Sequence, residues 1–416
     1  MDFTTFITKI ASRRKSGILR SYAKKFAEHK NAISLANGMP NATTFPFEEI
    51  SITYKGETKV KLTGEELFSS LQYAPSQGYL PLLKKMRQFQ EHWYKPLYND
   101  WDIVLTCGSM EGCSKVLEMV LENGDPMMAQ VPTYDGVLGV LMPLEPEFIG
   151  IEQDEDGIIP ANIAKVCEER RRSGKPVPKI LYVNPTGGNP TGTVLTNSRK
   201  RQIYELAETY NFLILEDDPY SFVHFLDKTP TTFLELDTKG RVIRLDSISK
   251  VISPGLRLGV VTGHKEIIKR LTAHMETTSI HPSSLSQMLL YKLLNTWSVD
   301  KLQKHFNDIQ RFYRDRRDVM LSLIEKHLTG LAEWNVPKGG MFVWMKVNKV
   351  KDVMELADKE CISHGVFVIP GHAFNYDRSK PEEHIRLSYS YATPEEIDKA
   401  LSILAKLIRE EIEKLD

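Results

Sequence analysis

Lys250 stands in the run DSISKVISPGLRLG, residues 246–259, among groups suited to binding an anion. Ser249 precedes it directly, Ser247 lies three positions before it and Arg257 seven positions after. A compact loop over this stretch would gather an amine, two hydroxyls and a planar guanidinium around one phosphate. An amine becomes a useful nucleophile only when partly deprotonated, and condensation with an aldehyde makes its reactivity usable at neutral pH. The spacing alone is equally compatible with a surface lysine that follows a strand.

Three further segments carry candidate chemistry. In LEDDPY, residues 215–220, Asp217 stands at the carboxyl end of a predicted strand, where ligands of open α/β sheets collect. A carboxylate aimed at a pyridine nitrogen keeps such a ring protonated and able to store electrons. Tyr220 follows at a distance that suits a neighbouring ring hydroxyl, although three adjacent acidic and polar residues also describe a solvated turn. NPTGGNPTG, residues 184–192, reads as a turn whose side-chain amides can meet a ligand. TCGSMEG, residues 106–112, puts Gly108 and Ser109 between a strand and a helix. The amides and positive end of that helix favour phosphate, though glycine and serine there also make an ordinary turn.

These segments require a scaffold. Between residues 100 and 275, short apolar runs alternate with amphipathic stretches, the pattern of βαβ units and a mostly parallel sheet. Seven strands are predicted, at residues 103–106, 127–130, 148–152, 179–183, 212–216, 242–246 and 258–262. Crossover helices are predicted over 114–122, 161–172 and 198–211. Residues 300–328 contain no proline or glycine and suit a helix that bridges two lobes. Beyond it, MFVWMKV, GVFVIP and IRLSYSYA read as strands, with a helix over 350–365 and a terminal helix. Thr393, Pro394 and Glu396 form the signature of a capped start to that terminal helix. The expected division is an N-terminal segment 1–45 joining the cleft and small domain, a large domain 46–310 and a small α+β domain 311–416.

With 54 basic and 54 acidic residues spread along the chain, the net charge is zero, which argues against nucleic acid as a partner. No apolar run approaches a membrane span, so neither a membrane nor a metal partner is expected; no H-E-x-x-H cluster occurs. Neither G-x-x-x-x-G-K-[ST] nor G-x-G-x-x-G follows a strand, which removes the usual nucleotide signals. Cys107, Cys113, Cys167 and Cys361 form no C-x-x-C pair, and a reducing compartment suits them. A cytoplasmic location is expected on that ground, and the basic first 30 residues, which resemble an amphipathic transit peptide, give a mitochondrial one as the alternative.

Taken in order, NPTG, DDPY and SxSKxxxxGLRxG resemble the fold-type I, pyridoxal 5'-phosphate (PLP) dependent aminotransferases, over nearly the whole chain. FIT, ISLANGMPNATTFPF, LQYAPSQG, EDDPY, LTGLAEW and IRLSYSYATPEE resemble the kynurenine/2-aminoadipate group. The resemblance implies an α/β fold with a large domain on a mostly parallel seven-stranded sheet plus a smaller α+β domain. It implies Lys250 as the Schiff-base lysine, Asp217 at the pyridine nitrogen, and Asn189 and Tyr220 at the ring hydroxyl. Gly108, Ser109, Met110, Ser247, Ser249 and Arg257 would hold the phosphate, and Tyr134 would stack on the ring. Arg386 would bind the α-carboxylate with Asn189, while Arg20 and Gly38 would lie near the substrate side chain. Tyr73 would reach the phosphate of a neighbouring subunit, which implies a homodimer.

Departures from the pattern fall at Met110, where relatives often carry a polar residue, and at Asn37 and Met39, where they often show glycine and leucine. The implied reaction is transamination of an aromatic or long-chain amino acid, with 2-oxoglutarate as acceptor. A β-lyase or a decarboxylase on the same scaffold is the alternative, because cofactor motifs do not choose the bond that breaks.

Overall fold

The computed structural model describes residues 1–18, 22, 33, 35, 38–56 and 59–414. In chain order its strands are β1 Ile50–Ile52, β2 Val60–Leu62, β3 Trp101–Thr106, β4 Pro126–Val131, β5 Glu147–Asp154, β6 Gly157–Ile158, β7 Ile180–Val183, β8 Leu213–Asp217, β9 Val242–Ser247, β10 Gly259–His264, β11 Ala332–Trp334, β12 Phe342–Val347, β13 Ile369–Pro370 and β14 His384–Ser388. All seven strands expected between residues 100 and 275 are present. An eighth, β6, corrects the count, since two residues are too few to show any period. The chain divides into two compact units, Met1–Leu121 with Leu234–Leu302 and Glu122–Phe233 with Gln303–Asp416.

In the first unit β10 lies between β3 and β9 and runs antiparallel to both, so β3 and β9 share a direction. The register aligns Thr106, Gly259 and Ser247 in one row across the three strands. Ile103, Leu105, Leu258 and Val260 are buried with Leu82, Met86 and Leu290 from the helices Leu80–Trp93 and Ser284–Thr296. Each such side chain contributes roughly 2 kcal/mol by leaving water. The helix Ser109–Val120 packs against β3, β9 and β10.

In the second unit the order is β8-β7-β4-β5-β6, with the first four strands parallel and β6 antiparallel to β5. ILYV of β7 and LILED of β8 are buried at every position, as parallel strands covered on both faces must be. The crossover helices occupy Pro160–Arg172 and Asn197–Tyr210. A second sheet, β11-β12-β14-β13, is antiparallel throughout. Val343, Met345, Ile385 and Leu387 from it pack with Ile324, Ile397, Leu404 and Ile408.

The helix expected over 300–328 runs Val299–Leu328. The terminal helix Pro394–Glu413 starts with a complete capping box, in which Thr393 and Glu396 each receive the other's backbone N–H. The strand expected at GVFVIP shrinks to β13, and the helix expected over 350–365 contains a π turn at Leu356–Cys361. Among the described residues no helix is long and apolar enough to cross a membrane.

Candidate active site

β3 ends at Thr106, and Gly108 turns the chain into the helix Ser109–Val120 with φ 76°. Only glycine adopts that conformation without strain, and a Cβ there would also strike the Arg257 guanidinium, whose Cζ would lie 3.0 Å away. Gly259 sits equally close, because a Cβ on it would lie 2.6 Å from both the Gly108 carbonyl carbon and the Ser109 nitrogen. Gly259 is opposite Ser247 in the strand register, so Gly108, Ser109, Ser247 and Arg257 gather around Gly259.

No side chain caps this helix, which leaves its first amides directed outward. Glu111 holds the preceding turn by accepting from Cys107 N at 2.6 Å and from Ser279 Oγ at 2.5 Å. Amides, hydroxyls and one guanidinium gathered beside close-packed glycines are the donor set that fits a phosphate monoester. Ser247 Oγ accepts from Ser249 N at 3.2 Å and opens the turn Ile248–Lys250, which places half-buried Lys250 just past β9.

The second unit carries a connected polar chain. Asp217, the last residue of β8, is buried and accepts from Tyr182 Oη at 2.8 Å. Its carbonyl accepts from Asn184 Nδ2 at 2.6 Å, while Asn184 Oδ1 accepts from Asn189 N at 2.8 Å. Gln130 Oε1 takes the Asn184 amide at 2.8 Å, so one asparagine ties the ends of β4, β7 and β8 to the 184–192 loop.

Asn189 Oδ1 accepts from Arg386 Nη1 at 2.8 Å. The Arg386 guanidinium lies 4.1 Å from the ring centre of Phe342 and 5.1 Å from that of Phe374, and its buried Nε has no hydrogen-bond partner. Burial pulls the Arg386 pKa down from its usual value while Tyr220 and Tyr134 act the other way, and an arginine remains cationic at neutral pH. A desolvated planar fork with donors to spare suits a carboxylate. Tyr220 is buried, and that burial raises the pKa of its hydroxyl against the opposing pull of Arg386.

Asp217, Tyr220, Tyr134, Asn189 and Arg386 are thus brought together in one unit, Tyr134 being the half-buried residue that precedes the helix Asp135–Leu141. Met110 is half-buried in the first turn of its helix. Tyr73 is more than half exposed, with its ring centre 6.0 Å from that of His281 and the two rings nearly perpendicular, and Gly38 is exposed. Among the described residues no interaction joins either of them to Gly108, Ser109, Ser247 or Arg257. Arg20 and Asn37 lie outside the described residues.

Sequence reasoning missed Tyr182, Asn184, Gln130, Phe342 and Phe374. A tyrosine within the otherwise aliphatic ILYV was the available signal for Tyr182, and the doubled Asn-Pro was the signal for Asn184.

Residues 64–404 match the family described as aminotransferase class I and II. The kynurenine/alpha-aminoadipate aminotransferase, mitochondrial, of Bos taurus is 39% identical over 425 residues, covering 99% of this chain and 100% of that protein. The solved aromatic aminotransferase Aro9 of C. albicans has a TM-score of 0.88 at 28% identity, covering 100% of this chain and 99% of its own. The solved kynurenine aminotransferase of Pyrococcus horikoshii, in complex with PMP, KYN and KYA, has a TM-score of 0.79 at 29% identity, covering 99% and 98%. The chain therefore belongs to the class I and II aminotransferases, enzymes of the α/β fold type I that depend on pyridoxal 5'-phosphate and act on amino acids and 2-oxo acids.

Proposed function

We propose that this aminotransferase takes aromatic or long-chain L-amino acids of the kynurenine, 2-aminoadipate and tryptophan type and passes the amino group to 2-oxoglutarate. The observation that carries the reading is the Arg386 fork, bonded to Asn189 at 2.8 Å and enclosed by Phe342 and Phe374 with Nε unspent. Every amino acid and every 2-oxo acid presents the carboxylate that this fork reads, so one arginine serves both halves of the reaction. Names among the relatives support the donor class.

Bound pyridoxal 5'-phosphate supplies an aldehyde carbon and a ring that stores the electron pair left by the α-proton. Lys250 would hold the cofactor through its amine, and its Nζ is the group assigned to take up and return the substrate's α-proton. Asp217 is assigned to the pyridine nitrogen, and Tyr182 and Asn184 hold its carboxylate and carbonyl in place. Asn189 and Tyr220 are assigned to the ring hydroxyl and Tyr134 to the ring face. Gly108, Ser109, Met110, Ser247, Ser249 and Arg257 are assigned to the phosphate.

Gly38 and Arg20 are read as neighbours of the substrate side chain, and Tyr73 as a phosphate ligand of a second subunit in a homodimer. Full activity in a monomer at high dilution would contradict that last assignment. Residues 311–416 are read as the small domain, and the buried cluster within 320–408 supports this. The reading keeps a cytoplasmic location, with the mitochondrial names of relatives supporting the alternative.

A panel of donors assayed with 2-oxoglutarate tests the function. Kynurenine, 2-aminoadipate, tryptophan and phenylalanine should turn over well above alanine and aspartate. The opposite ranking, or release of ammonia or carbon dioxide in place of transfer, would reject it.

A further inference from the structure

Two glycines far apart in the sequence meet backbone to backbone. Gly187, in the 184–192 loop, has φ 58°, and Gly340, just before β12, has φ 75°. A Cβ on Gly187 would land on the Gly340 amide nitrogen and lie 2.5 Å from the Gly339 carbonyl carbon. A Cβ on Gly340 would land on the Gly187 carbonyl oxygen. The approach therefore depends on both residues lacking side chains. Around it, Lys338 N donates to Gly192 O at 2.9 Å, Gly340 N to Val223 O at 2.8 Å and Phe225 N to Lys338 O at 2.8 Å. Residues 338–340 are thereby stitched both to the loop that carries Asn189 and to the chain that follows Tyr220.

Gly340 is held from its other side as well. Its carbonyl accepts from Tyr389 Oη at 2.8 Å, and Tyr389 N donates to Met341 O at 3.2 Å. Tyr389 has no exposed surface and stands three residues after Arg386, just past the end of β14. β12 pairs with β14 so that Trp344 opposes Arg386 and Phe342 opposes Ser388. The contacts close a ring that runs from Asn189 to Arg386, along β14 to Tyr389, across to Gly340, on to Gly187 and back along the loop to Asn189.

We propose that Tyr389, acting through the Gly340–Gly187 contact, is a positioning residue that sets the Arg386 fork against Asn189 and thereby tunes affinity for the α-carboxylate of both amino acid and oxo acid. The proposal rests on the assignment of Arg386 to that carboxylate. A fork that donates two parallel hydrogen bonds is sensitive to small displacements, and Arg386 is otherwise held by one hydrogen bond and two ring faces. Burial raises the pKa of the Tyr389 hydroxyl, so it stays a donor at any working pH.

Tyr389→Phe keeps the ring and removes the one hydrogen bond. In the holoenzyme, KM for each amino donor and for the oxo acid should rise about five- to tenfold, the loss expected of one buried hydrogen bond. Turnover should stay within about twofold, with the cofactor's absorption and retention unchanged, because catalysis at the ring is untouched. In an Arg386→Ala background, Tyr389→Phe should change KM no further, since the two residues act along one path. Unchanged KM values together with a lower melting temperature would overturn the proposal, as would additive effects in the double variant. An Arg386→Ala enzyme with ordinary kinetics would remove the carboxylate assignment and the coupling with it. A crippled Arg386→Ala enzyme beside a kinetically silent Tyr389→Phe would remove the coupling alone.

Discussion

Arg386 and Asn189 share a hydrogen bond of 2.8 Å, although one ends in the second sheet and the other sits in the loop after β7. Asn189 presents its side-chain oxygen to the guanidinium, so its amide nitrogen is turned away from the arginine. A group assigned, as Asn189 is, to both substrate carboxylate and cofactor hydroxyl gains from that orientation.

Arg386→Ala should lower kcat/KM about 100-fold or more for every amino donor, because a desolvated carboxylate would lose a bidentate partner. Arg386→Lys should recover only part of this, since a point charge cannot reproduce the fork. Steady-state kinetics with three unlike donors checks it, and a loss confined to one donor would place the residue at the side-chain pocket.

Lys250→Ala should abolish turnover and also abolish covalent retention of cofactor after borohydride reduction. Mass spectrometry of the reduced protein reads this directly, and cofactor mass retained in the variant would point to another lysine.

Tyr182→Phe removes the hydrogen bond at 2.8 Å to Asp217 Oδ2 while keeping the buried ring. A hydrogen bond to a charged acceptor contributes about 1.5–3 kcal/mol, so turnover should fall on the order of tenfold. The cofactor's absorption maximum and its pH dependence should shift as well, whereas an unaltered spectrum would mean that Tyr182 serves packing alone.

Glu382 gives a pH prediction. Burial would raise its carboxyl pKa, yet hydrogen bonds from His384 and Asn375 outweigh that and hold it at about 2, below the usual 4.5. The unfolded chain therefore takes the proton first, so the stabilisation is present in full above about pH 4.5 and fades as pH falls toward 2. Glu382→Gln should be less stable than the parent by on the order of 2 kcal/mol at pH 7, with the gap narrowing through that window. Urea melts of both proteins at several pH values measure the gap.

Lys250 and Asp217 were legible because each lies in a short motif at the end of an apolar strand, where periodicity and residue type agree. The same agreement located the seven longer strands and the capped terminal helix. Asn184 was hidden in plain view, since a turn explains an Asn-Pro pair without any partner. Phe342 and Phe374 carried no local signal of a role, and only the folded chain brings their rings to Arg386. Gly187 and Gly340 were illegible for a related reason: each satisfies its local turn, and the need for glycine arises from contact between distant segments. β6, of two residues, carried no pattern to find.

The row formed by Thr106, Gly259 and Ser247 has a consequence for how the enzyme matures. Its members come from the two separate segments of the first unit, more than 100 residues apart in the chain, and meet only when β3 and β9 have both paired with β10. The cluster of Gly108, Ser109, Ser247 and Arg257 beside that row therefore has no counterpart in the unfolded chain, and a ligand held by it binds the native form alone. At a free concentration 100 times its dissociation constant, such a ligand adds about 2.7 kcal/mol to native stability. Supply of the vitamin-derived cofactor should then govern not only how much of this protein is active but how much survives proteolysis after synthesis.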